Sequence, residues 1–125
     1  MRFAKIVFYG ASAWGVLVLT PMYFMFDAIG RQDPPPITHP EFYYGFACAA
    51  LAWQFAYFLI ATDPVRFRPV MLVGVFAKMS YFAAVAVIYL QGRLSARMFA
   101  VSAPDALLGS LFLIAFFKLR PAPPR

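Results

Sequence analysis

Four apolar stretches fill almost all of this 125-residue chain and leave only short loops between them. The hydrocarbon core of a bilayer is ~30 Å thick and takes ~20 helical residues to cross. Segments 6–28, 42–61 and 70–90 meet that length, and a fourth, 96–118, meets it if its helix opens near Ser95. Hydrophobic residues make up 63% of the chain and charged residues 13%, a balance for which a water-soluble domain this small has no sufficient core. The expected fold is therefore all-α: an integral membrane four-helix bundle running up-down-up-down as a single transmembrane domain over 1–125.

The formal net charge of +6 invites a nucleic-acid reading, but the basic residues lie at the ends of the apolar segments rather than along one helix face. No nucleic acid is expected as a partner. Arg2, Lys5, Arg66, Arg68, Lys118, Arg120 and Arg125 would fall on one side of a four-crossing chain, and only Arg31, Arg93 and Arg97 on the other. Positive residues favour the cytoplasmic side, so both termini are expected there. A signal peptide cut at Ala11-Ser12-Ala13 would have an apolar region of only Ile6 to Gly10, which is too short, so the first segment is expected to stay as a helix. Cys48 is the only cysteine, which rules out an intrachain disulfide and a cysteine-rich metal site.

The connections carry the local signals. Between the first two segments, Pro34-Pro35-Pro36 favours extended backbone, and Thr38 with Glu41 three residues later fits a capping box opening the second helix. His39, the only histidine, falls at that outer interface, where it is either a solvated side chain or a lone ligand for a haem or chlorophyll-like pigment. Between the second and third segments, Asp63 before Pro64 suits the cap of a tight turn, and Pro69 suits the first turn of a helix. Arg66 and Arg68 flank Phe67 at headgroup depth, which serves anchoring or lipid-phosphate contact. The last connection reads two ways. Ser102 and Asp105 could form a capping box that opens a short fourth helix, or the helix could start near Ser95, with Pro104 inside it and Asp105 within the bilayer.

Counting helical rise from the basic end brings unlike residues to one depth. Lys78 is nine residues beyond Pro69, roughly 13 Å, while Gln54 and Ser110 each lie eight residues from their basic ends, about 12 Å. Ser12 joins them at roughly 10 Å, and Asp105 lies about 6 Å farther in than Lys78, within reach of a lysine stem. An ionisable group at that depth marks a functional site by default. Three readings of Lys78 stand: an ion pair with Asp105, snorkelling to the headgroups, or a lysine activated by burial. The layer Lys78, Asp105, Gln54, Ser12 and Ser110 is the candidate ligand-binding site; no catalytic residue and no metal set is assigned.

Small residues recur every four positions at Cys48, Ala52 and Ala56, at Ser80 and Ala84, and at Ala106 and Ser110, spacings that let membrane helices pack closely. Twenty-four residues are aromatic, 15 of them Phe. Phe42, Tyr43 and Tyr44, with Tyr23, Phe24 and Phe26, suit an interfacial belt, and an aromatic groove could hold a lipid, quinone, carotenoid or other pigment.

The strings Thr38-His39-Pro40-Glu41-Phe42-Tyr43-Tyr44-Gly45-Phe46, Ala52-Trp53-Gln54 and Asp63-Pro64-Val65-Arg66-Phe67-Arg68-Pro69 resemble a family of small bacterial four-helix membrane proteins. The resemblance covers nearly the whole chain and implies the bacterial cytoplasmic (inner) membrane, but no activity. The family pattern often has an acidic residue just before the lysine of the third helix, where this chain has Ala77, so one possible partner for Lys78 is missing. At the level of four helices alone the chain is also similar to DoxX-like and EXPERA-type proteins. Three functions follow as expectations: a non-enzymatic accessory subunit packed against a larger membrane complex or a second copy; a binding or transport protein for a lipophilic or weakly anionic small molecule held by Lys78, Gln54 and Asp105; or a membrane enzyme acting on a lipid or isoprenoid.

Overall fold

A computed structural model describes residues 2–32 and 34–119, and among them there is no strand. The helices are α1 (Arg2–Leu19), α2 (Phe26–Gln32), α3 (Pro40–Thr62), α4 (Arg68–Leu90) and α5 (Ala96–Lys118), with a 3-10 turn over Thr20–Phe24 between the first two. Four helical runs are long and apolar enough to cross a membrane: α1 with its 3-10 extension, α3, α4 and α5. Each has 23 residues, about 35 Å at 1.5 Å per residue if all were α-helical, against the ~30 Å of a hydrocarbon core.

The first segment departs from the continuous helix expected over 6–28. It is helical from Arg2, and its α-geometry ends at Leu19. Pro21 is the cause, because it has no N–H to give to Leu17 and its ring crowds that carbonyl. The chain tightens into a 3-10 turn, breaks at Met25 and restarts as α2. The Tyr43 hydroxyl, donating to the Met22 carbonyl at 2.7 Å, ties that turn to α3.

The capping box expected at Thr38 and Glu41 does not form. Pro40 takes the first helical position, which makes His39 the cap residue, and no side chain caps the helix there. Glu41 instead lies 3.2 Å from His39 Nδ1. The next turn follows its sequence signals. Asp63 Oδ1 accepts from the Arg66 backbone N–H at 3.3 Å, and Pro69 lies in the first turn of α4. At the far end of α4, Gly92 takes φ +73°, and the bonds Gly92 N–H to Tyr89 O and Arg93 N–H to Ile88 O complete a Schellman cap.

The fourth long helix resolves the two readings of the last connection. Ser95 caps it, accepting from the Met98 N–H at 3.2 Å, and Pro104 lies inside the helix. Ser102 is therefore not a cap: its hydroxyl donates back to the Met98 carbonyl at 3.0 Å.

Packing is closest within two pairs, α1 with α3 and α4 with α5; α1 also meets α5, while α3 and α4 meet only slightly. The apolar core gathers the start of α1, the end of α3, the start of α4 and the end of α5. At its centre the rings of Phe8 and Phe112 stack at 4.3 Å, with Tyr57 4.9 Å from Phe112. Gly74 of α4 makes room for both, since a Cβ there would come within 3.2 Å of Tyr57 and 3.3 Å of Phe112. The small-residue rows expected as seams face elsewhere: Cys48, Ala52, Ser80, Ala84 and Ser110 are exposed, and Ala56 and Ala106 are half-buried. Close approach is made instead at Ala4, Ala11 and Gly15 of α1, Ala47 and Ala61 of α3, Gly74 of α4, and Gly109 and Ala115 of α5. Spacing shows that a helix can be approached closely along some face; the large side chains of its neighbours select which one.

Candidate functional site, a buried ion pair between two helices

On α4 the buried positions are Met71, Gly74, Lys78 and Val85, one stripe at helical period, so Lys78 leaves the helix on the same side as the core residues below it. Its stem runs over Gly109 of α5, where a Cβ would come within 3.1 Å of the Lys78 Cβ. One turn back along α5 stands Asp105, and Lys78 Nζ donates to Asp105 Oδ1 at 2.9 Å. The two side chains are 11% and 25% exposed, so the lysine is paired and does not reach for the headgroups. Its ammonium also lies 5.6 Å from the centroid of the Tyr57 ring, and so faces a carboxylate and a π-cloud together. Ser102, one turn beyond Asp105, approaches the Tyr81 hydroxyl of α4 at 3.5 Å and extends the polar contact between these two helices.

Such a pair is a weak source of net stability, because both charges lose their water; removing one partner, however, strands the other and costs about 3–5 kcal/mol. Chemically it is closed. The carboxylate neutralises the ammonium, so the lysine is held in a pair rather than free as a nucleophile.

The other members of the expected layer lie apart from this pair. Gln54 is 3% exposed and faces α1, where its side chain occupies the space a Cβ on Gly15 would need. Its Nε2 donates to the Ala50 carbonyl of its own helix at 2.8 Å, and its Oε1 is buried without a partner among the described residues. Ser12 is buried on α1, one turn before Gly15. Ser110 is exposed and donates to the Ala106 carbonyl at 2.8 Å, next in sequence to the buried Gly109 but turned away from it. Depth arithmetic gives height along a helix and nothing about angle around it, which is why one expected layer becomes two separate groups and an outward serine.

The basic residues of the connection divide in the same way. Arg66 is exposed beside the Phe67 ring at 5.3 Å. Arg68 Nε donates to the carbonyls of Phe116 and Leu119 at 3.1 and 3.0 Å, and its guanidinium lies 3.7 Å from the Phe116 ring centroid. It closes the C-terminus of α5, where free carbonyls and the helix dipole favour a cation. His39 is exposed between Glu41 and the Phe42 ring.

Several residues that shape the site escape a reading by charge alone: Tyr57, Gly74, Gly109 and Ser102. The last three were within reach of helical periodicity, since Met71, Gly74 and Lys78 on α4, and Ser102, Asp105, Gly109 and Phe112 on α5, follow one another at three- and four-residue steps along one face. Tyr57 carried no signal that separates it from the other tyrosines. Comparison with known proteins adds no assignment: no family model matches the chain, and neither does a curated protein or a solved structure.

Proposed function

We propose that the chain is a non-enzymatic subunit of the bacterial inner membrane. In this reading it crosses four times, up-down-up-down with both termini in the cytoplasm, and packs as an accessory or structural element against a larger membrane protein. The imbalance of basic residues between the two sides supports the orientation. One observation carries the functional reading: the buried Lys78 and Asp105 neutralise each other, whereas the small-residue rows Cys48–Ala52 on α3 and Ser80–Ala84 on α4 are left uncovered on two helices that meet only slightly. Lipid tails gain nothing from a row of small side chains, but a second protein's helix does, through close backbone approach.

The test is gentle purification from native membranes followed by native mass spectrometry. A stoichiometric membrane-protein partner is expected, released by Ala52→Leu or Ala84→Leu while the four-helix chain stays folded. A lone, monodisperse chain that those substitutions do not affect would end the proposal.

A second reading, binding of a lipophilic or weakly anionic molecule near Lys78, Asp105 and Gln54, is favoured by one feature: the unpartnered Gln54 Oε1 offers a buried acceptor to a donor not otherwise present. A small molecule that co-purifies with the chain and is lost in Gln54→Leu and Lys78→Met would favour it over the subunit role.

A further inference from the structure

At the opposite end from the aromatic core, the two aromatic belts expected from the sequence meet as one. Phe26 stacks on Tyr44 at 5.6 Å and meets Tyr43 edge-on at 5.2 Å, and Tyr23 lies 6.4 Å from Tyr44. Beside these rings opens a cavity of about 320 Å³ lined by Tyr23, Phe26, Asp27, Arg31 and Tyr44 among others. Asp27 and Arg31 are both exposed, and neither forms an ion pair among the described residues. They stand one helical turn apart on α2, about 6 Å along the axis. The walls are held by packing on both sides. Gly30 is buried against the backbone of Pro36, and the Tyr43 hydroxyl fixes the turn that precedes α2.

We infer that this cavity binds the zwitterionic headgroup of a phospholipid, its ammonium against Asp27 and the aromatic walls and its phosphate against Arg31. The charge pattern narrows the ligand. A phosphate alone would meet the Asp27 carboxylate, and an ammonium alone would meet the Arg31 guanidinium. A molecule carrying both charges a few ångströms apart, in the reverse sense, satisfies the two together. Aromatic faces add attraction for the cation, and a belt of Tyr and Phe is what sits at headgroup level in a bilayer. A carboxylate that accepts hydrogen bonds favours a primary ammonium, as in ethanolamine, over a quaternary one that has no N–H to give. The inference rests on the proposed topology, which places this end of the bundle at the outer interface.

The test is native mass spectrometry of the full chain, delipidated in detergent and titrated with phosphatidylethanolamine or phosphatidylglycerol. A preference of about tenfold for phosphatidylethanolamine is expected, equivalent to about 1.4 kcal/mol. Asp27→Asn should abolish that preference by admitting the anionic lipid, and Arg31→Gln should weaken both lipids. Equal retention of the two lipids by the unaltered chain, or an undiminished preference in Asp27→Asn, overturns the site. Soluble phosphoethanolamine separates the two possible sources of the same chemistry. Its failure to compete supports a lipid, whereas displacement at equal concentration overturns the lipid as occupant and leaves a free zwitterion. Alkaline carbonate extraction keeps the two proposals apart. A chain that washes off membranes brings down the topology, whereas an indifferent Asp27→Asn in a chain that resists extraction brings down this site alone.

Discussion

Where α1 begins and α5 ends, the interior is Phe8, Tyr57 and Phe112 stacked over Gly74, with Met71, Ile60 and Ala115 around them. One to three turns farther on, the buried polar side chains are Ser12, Gln54, Lys78 and Ser102. The first region draws on all four long helices at once. The second divides into two helix pairs, with Gln54 seated on Gly15 between α1 and α3 and Lys78 on Gly109 between α4 and α5. Aromatic rings are large enough to reach across the centre of the bundle and hold four helices to one point. Polar side chains seek the nearest partner and so fix helices two at a time. The aromatic end therefore sets the architecture, and the polar middle sets the register within each pair.

The sharpest way to break this contrast is Phe112→Ala, which removes the ring stacked on Phe8. A loss of about 3–5 kcal/mol is expected, as for other aromatic truncations in packed cores. It should appear as a lowered unfolding midpoint in detergent, with all four long helices loosened together. Next in size is the ion pair. Asp105→Leu alone should cost about 3 kcal/mol or more by stranding Lys78, and the double change Asp105→Leu with Lys78→Met should recover most of that loss. A double-mutant cycle that shows no coupling between the two would remove the pair from the account.

Gly15→Ala is a smaller intrusion, expected to cost about 1–3 kcal/mol by overpacking against Gln54. Gln54→Ala should relieve it. Relief by Lys78→Met instead would mean that the two polar groups are one after all. The smallest effect belongs to Ser95→Ala, a lost helix cap worth about 1 kcal/mol, and hydrogen exchange should show it only in the first turn of α5.

What could be read from the chain itself follows the same division. Hydropathy and length located the four long helices, and Asp63, Pro69 and Ser95 marked ends that the structure keeps, because each acts on backbone within a few residues of itself. The pairing of Lys78 with Asp105 was one of three open readings, suggested by depth and chosen only by the angle at which α4 and α5 meet. Ser110 and Gln54 are read into the same layer by depth alone, whereas Ser110 turns outward and Gln54 sits on Gly15, a matter of angle. Pro21 acts as locally as Pro69 and breaks the first helix, but the apolar run around it hides that break from a reading by hydropathy and length. The small-residue rows misled because every face of these helices is apolar, so the contrast that marks the inner face of a soluble helix is missing.

The separation of 27 residues between Lys78 and Asp105 also has a consequence for biosynthesis. A ribosome making this chain releases α4 before α5 has emerged, so in the proposed membrane topology α4 would face the lipid with a bare ammonium near its middle. On insertion scales such a charge costs about 2.5–3.5 kcal/mol at a helix centre. The rest of α4 is the most apolar of the four spans and can offset that cost, yet the resting place of the charge depends on a helix still to emerge. In the proposed topology α4 and α5 are thus expected to insert as one unit, α4 settling only when α5 arrives beside it.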